Sequence, residues 1–110
     1  MNDHTLNPHV PGAKLDQGKP RIGLVLKDFS RALDAVSWVG TFGAVKYTEH
    51  GWLQVPNGQE RYLDALLRHL LTHEEIDRES NLLHAAHAAW NALAVLELAL
   101  REREEAENRG

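Results

Sequence analysis

The sequence predicts an all-α protein: a small bundle of three main helices behind an irregular N-terminal arm, completed by oligomerisation. Three observations carry that reading. Apolar residues recur at helical spacing in three blocks. Stretches rich in proline, glycine and asparagine fall between those blocks. The last block runs from Asn81 to Leu96 without a charged side chain, so a helix there must be covered on most of its surface. A chain of 110 residues suits one domain with a modest core, and a dimer or tetramer would enlarge that core.

Residues 1–20 hold Pro8, Pro11 and Pro20 with no apolar periodicity. They read as an arm, and the arm with its basic loop is placed at 1–27, the helical domain at 28–105. Arg21 to Leu26 is a short apolar piece, either strand-like or a lead-in to the first helix. Asp28 is a candidate N-cap. From Phe29 the first helix carries Ala32, Leu33, Val36, Gly40, Gly43 and Tyr47, with the two glycines on one face, where another helix can approach closely. Gly51 to Gly58 reads as a loop. The second helix spans about Glu60 to His73, with Leu63, Leu66, Leu67 and Leu70 as its core stripe. An acidic connector follows. Ser80 is a plausible N-cap for a third helix reaching about Arg103.

Composition narrows the function classes. Hydrophobic residues make up 43% and charged residues 25%, an ordinary globular balance. Cysteine is absent, so a metal could be held only by carboxylate, imidazole or amide groups. A formal charge of −4 argues against bulk nucleic-acid binding. No apolar run approaches a membrane span and the N-terminus is not signal-like, so the expected compartment is the cytoplasm.

The third helix is the most informative. His84, His87, Ala88, Asn91, Val95 and Leu98 form one stripe at 100° per residue. The opposite stripe, Leu82, Ala89, Leu93, Leu96 and Leu100, reads as conventional core. Two imidazoles and an amide in line on a covered helix need polar partners, since each unpaired group costs about 1–3 kcal/mol. A polar network, a ligand or a metal would each serve. Hydrogen bonds to Glu75, Asp77 or Glu79 of the connector would satisfy the imidazoles without any ligand.

On the second helix Arg61 and Arg68 share a face, with His69 and His73 on its shoulder. Guanidinium forks suit phosphate oxygens; an ordinary solvated face with an Asp64–Arg68 pair is the plainer account. The connector carboxylates, Glu75, Asp77 and Glu79 among them, are reasonable ligands for Mg²⁺ or Mn²⁺, and equally suit a helix N-terminus. In the arm Lys14, Lys19 and Arg21 surround Gly18, as in a phosphate-contacting flap or a solvated tail. Trp38, Phe42, Tyr47, Tyr62 and Trp90 are core by default. Trp52, in a loop beside His50, is the candidate for stacking on a base.

These blocks, taken in order, resemble the phage dATP/dGTP diphosphohydrolase N-terminal domain family. The likeness lies in Gly12 to Asp16, Gly18 to Arg21, Phe42 to Ala44 with Lys46-Tyr47, His50-Gly51-Trp52, Arg61-Tyr62, Leu66 to His69, Glu75-Ile76-Asp77 with Glu79-Ser80, and His84 to Asn91. The resemblance implies an all-α, MazG-like nucleotide pyrophosphohydrolase, usually oligomeric, acting in the host cytoplasm if phage-encoded. It would cleave a purine dNTP to dNMP and pyrophosphate with Mg²⁺ or Mn²⁺. Of the two acidic motifs of MazG-like enzymes, the position resembling the second reads here His84-x-x-His87 and no clean first motif stands around Glu60 and Asp64, which moves the expected metal ligands to His69, Glu75, Asp77, Glu79, His84 and His87. Glu75, Asp77 and His84 are the expected catalytic groups. Lys14, Lys19, Arg21, Lys46, Trp52, Arg61, Arg68 and Asn91 are the expected substrate contacts. A non-catalytic protein that sequesters nucleotides, or a pure interaction module, would fit the same residues.

Overall fold

The computed structural model describes residues 7–110. Helices α1 (Ile22–Asp28), α2 (Ser30–Lys46), α3 (Gly58–Leu71) and α4 (His84–Arg109) are joined by loops, with a short 3-10 turn at Gly51–Gln54. The described residues contain no strand, only an isolated antiparallel bridge between Ile76 and Leu83. The all-α expectation holds. No described helix is long and apolar enough to cross a membrane.

The N-terminal boundary moves. The piece expected as strand-like or lead-in is helix α1, so the irregular arm ends at Arg21 rather than at residue 27; residues 1–6 of that arm lie outside the described part. Asp28 closes α1 instead of capping α2, and Phe29, at φ −114° and ψ 24°, breaks the two helices apart. Asn57 in the left-handed conformation starts α3, an ordinary use of asparagine. The 3-10 turn packs under α3 through Trp52, whose backbone oxygen accepts a hydrogen bond from the Tyr62 hydroxyl at 2.7 Å.

Helices α3 and α4 form an antiparallel hairpin, and the C-terminal half of α2 crosses α4. Gly58 at the start of α3 makes the hairpin close: a Cβ there would lie 3.0 Å from Leu98 Cδ1. Gly40 does the same on α2, where a Cβ would meet the Trp90 indole at 3.4 Å. Of the two glycines expected to permit close approach, Gly40 meets Trp90 and Gly43 faces open space.

Most of both leucine stripes faces the other way from the expectation, Leu66 and Leu82 alone among their leucines being half-buried. The buried side of α4 is His87, Ala88, Asn91 and Ala94, together with Ala86. Leu93, Leu96 and Leu100 are about half exposed, at 49%, 55% and 48%. On α3, Leu63, Leu67 and Leu70 are likewise exposed. The apolar core reduces to Val39, Ala86, Ala88 and Ala94, and the radius of gyration is 19.0 Å against the ~13 Å of a compact chain this long. Trp38 and Tyr47, expected in the core, are exposed as well. The polar stripe faces in because the connector and α3 supply its partners.

Candidate functional site

The connector between α3 and α4, residues 72–83, decides the site. The Asp77 amide donates to Leu82 O, Asn81 N to Asp77 O and His84 N to Glu75 O. Asn81 takes φ 62°, which turns the chain back sharply. A small closed loop results, and α4 starts only at His84. Ser80, expected as a helix cap, caps the loop instead: its amide and hydroxyl both donate to Asp77 Oδ2, at 3.1 and 2.8 Å. The loop delivers Asp77 and Ser80 beneath His87.

His87 is 8% exposed. Its Nε2 lies 2.7 Å from Ser80 Oγ and 3.5 Å from Asp77 Oδ2. Since the Ser80 hydroxyl proton goes to Asp77, the network assigns His87 as the Nε2–H tautomer donating to Ser80. His69 stacks on His87 with ring centroids 4.7 Å apart, and its Nδ1 meets His84 Nδ1 at 2.8 Å. That contact requires one ring to donate and the other to accept, so the two cannot both be charged. Asn91 is buried and donates from Nδ2 to His87 O at 2.9 Å.

Burial lowers the pKa of His69, with the neighbouring His87 and His84 adding to the effect. Burial also lowers His87, against the opposing pull of Asp77. For Asp77, burial alone would raise the pKa; the Ser80 hydrogen bonds and the imidazoles outweigh it, and the carboxyl sits below its usual range. Both shifts favour the neutral forms of His69 and His87. An imidazole whose folded pKa lies below its unfolded value of 6.5 stabilises the fold above that value. The contribution is lost as pH falls through the folded pKa. The melting temperature is therefore expected to fall on acidification from about pH 7.5 to about pH 5.5, and His87→Phe should flatten that profile. An unchanged profile in the variant would remove His87 as its source.

Above these groups opens a cleft of about 900 Å³ between α2, the 3-10 turn, α3 and α4, the size of a small-molecule site. One end presents His69, His87 and Asp77. The other has an aromatic wall of Trp52, Tyr62 and Trp90, packed edge to face with centroids 5.5–6.0 Å apart. Lys46, Arg61 and Arg68 bring cations to the rim. Arg68 makes no ion pair with Asp64, while Arg61, Asp64 and Arg68 are all exposed, as on a solvated face. Lys46 is bound to Glu79 at 2.8 Å, which raises its pKa.

Of the expected substrate contacts, Lys46, Trp52, Arg61, Arg68 and Asn91 line this cleft. Lys14, Lys19 and Arg21 do not: they are exposed on the arm and outside the cleft wall. Of the expected catalytic groups, Asp77 is in place and His84 stands behind His69. Glu75 is exposed, outside the cleft wall, and reaches α4 through its backbone oxygen. In the sequence Ser80 reads only as a cap, and Trp90 and Tyr62 as core, although an aromatic three residues from His87 on a charge-free helix is a usable signal.

The six expected metal ligands come together only in part. Among the described residues no group of three or more His, Asp or Glu is arranged to hold a metal ion. His69 and His84 satisfy each other, His87 is tied to Ser80, and Glu79 is drawn off to Lys46. One carboxylate at the centre is also a poor donor set for Mg²⁺, which asks for oxygen ligands. As arranged, the chain does not fit the metal the resemblance implies.

A cationic rim and an aromatic wall in one cleft are chemically suited to a ligand that joins an aromatic ring to phosphate. Residues 9–109 match the family described as dATP/dGTP diphosphohydrolase, N-terminal, and the chain belongs to that family. It is 39% identical over 83 residues to a protein of Salmonella phage PMBT28 named dATP/dGTP diphosphohydrolase, a match covering 73% of this chain and 27% of that relative. The chain thus spans about a quarter of the length of its curated relative. No solved structure matches it.

Proposed function

We propose that the cleft binds a purine deoxynucleoside triphosphate and hydrolyses it to the monophosphate and pyrophosphate. The observation that carries this reading is the convergence of Arg61 and Arg68, the neutral His69 and the Trp52–Trp90 wall on one cavity. The name of the phage relative supports the same chemistry. Arg61 and Arg68 hold phosphate oxygens through their guanidinium forks. The purine lies against the indoles. Asn91, its Nδ2 already donated to His87, offers Oδ1 to an exocyclic amine. Water attacks the α-phosphorus; the new P–O bond forms as the bond to the α,β-bridging oxygen breaks, and pyrophosphate leaves with that electron pair. The water proton passes to His69, within the His69–His84 pair. Asp77 and Ser80 hold His87 in place beside it.

The test is pyrophosphate release from a panel of dNTPs, with Mg²⁺, with Mn²⁺ and with EDTA. Release confined to dATP and dGTP supports the reading. A second reading, nucleotide binding without turnover, is supported by the finding that among the described residues no group of three or more His, Asp or Glu is arranged to hold a metal ion. Calorimetry then shows binding that survives EDTA, with the ligand recovered intact by chromatography. No binding and no release for any nucleotide would defeat both.

A further inference from the structure

The side of the α3–α4 hairpin turned away from the cleft is apolar from end to end. On α4 it consists of Ala85, Ala89, Ala92, Leu93, Leu96 and Leu100, all exposed. The exposed leucines of α3, Leu63, Leu67 and Leu70, lie on the corresponding side of their helix. Charges border the strip rather than interrupt it: Glu60 and Asp64 beside the leucines of α3, Arg103 beyond Leu100, and Glu97 with Arg101, which pair with each other on the flank at 2.7 Å. Half-exposed leucines in such number mark a contact surface rather than ordinary scatter.

We propose that a second copy of this chain docks on this face, with the two α4 helices antiparallel about a two-fold axis. The reason lies in how α4 is graded. Its N-terminal half presents small side chains and its C-terminal half large ones. Antiparallel pairing in a single register sets Ala85 against the partner's Leu100, Ala89 against the partner's Leu96 and Ala92 against the partner's Leu93. Each leucine then fills the hollow over an alanine, as ridges fill grooves. Parallel pairing would face alanine with alanine and leave a void. A surface complementary to its own two-fold image is what an isologous dimer needs, and nothing in that match calls for another partner. The leucines of α3 flank the seam, so the product is a four-helix bundle. The strip is two helices wide and ~22 Å long, of the order of the ~800 Å² per partner in a standard interface. Both clefts stay open on the outside. The proposal is independent of the proposed catalysis.

The chain has no cysteine, so a designed disulfide reads the register directly. The double variant Ala89→Cys with Leu96→Cys should convert on mild oxidation to a covalent dimer carrying two bridges. Each single variant should stay uncrosslinked. Within one chain the two positions are ~10.5 Å apart along the helix, too far for a bridge. Sedimentation of the wild type should give the dimer mass, and Leu96→Lys should give a helical monomer. A wild type that sediments as a monomer overturns the proposal. So does a dimer whose double variant fails to crosslink, or whose single variants crosslink equally well. If Leu96→Lys does not fold, the crosslink still decides.

Discussion

Exchanging His69 for glutamine should lower pyrophosphate release from dATP or dGTP by about 10²–10⁴-fold, the range contributed by a positioned general base, with KM little changed. Glutamine keeps a donor and an acceptor near His84, so the 2.8 Å contact at that position has a substitute. It cannot take a proton from water. Arg61 and Arg68 still line the cleft and still hold phosphate, which is why the loss falls on kcat. Arg68→Ala should do the reverse, raising KM more than it lowers kcat. The effect of His84→Ala should be smaller than that of His69→Gln, because His84 is outside the cleft wall and acts through its neighbour. A His69→Gln protein with wild-type kcat and an unchanged circular dichroism spectrum would take His69 out of the chemistry and leave the cleft as a binding site.

The periodicity of the chain made its helices legible, and the charge-free stretch made α4 legible as the covered element. It also singled out His84, His87 and Asn91 as groups in need of partners, and two of the three are buried with those partners found. Orientation was not legible. A leucine stripe and an alanine–histidine stripe on opposite sides of one helix compete for the interior, and hydropathy favours the leucines. The structure buries the histidine side because Ser80 and Asp77 satisfy it and because Gly40 lets α2 close over Trp90. Those partners come from a loop whose shape depends on the left-handed Asn81, and no periodic signal announces a loop. The arm lysines illustrate the opposite error. Lys14 and Lys19 near a glycine suggested a phosphate flap, but charge near glycine says nothing about where the chain lies.

Among the three tryptophans, Trp90 should be the one that the fold cannot lose. Its indole is in contact with Gly40 of α2, Trp52 of the 3-10 turn and Tyr62 of α3, so one side chain joins every element around the cleft. Trp90 is itself half-buried, and so few apolar side chains are fully buried that nothing nearby can fill the space. Truncating a large aromatic in such a place costs about 3 kcal/mol or more. For a domain of this size that corresponds to a fall in Tm of roughly 12 °C or more. Trp90→Ala is therefore expected to melt well below the wild type, and its cleft should lose nucleotide binding through loss of the aromatic wall. Trp38 provides the comparison, being the same residue type on the neighbouring helix but 59% exposed. Trp38→Ala should change stability by less than about 0.5 kcal/mol. Equal losses from the two substitutions, read by thermal melts under the same conditions, would mean that the joint lies elsewhere and that Trp38 is covered in solution. A large loss from Trp90 alone ties the integrity of the cleft to the packing of one indole over one glycine.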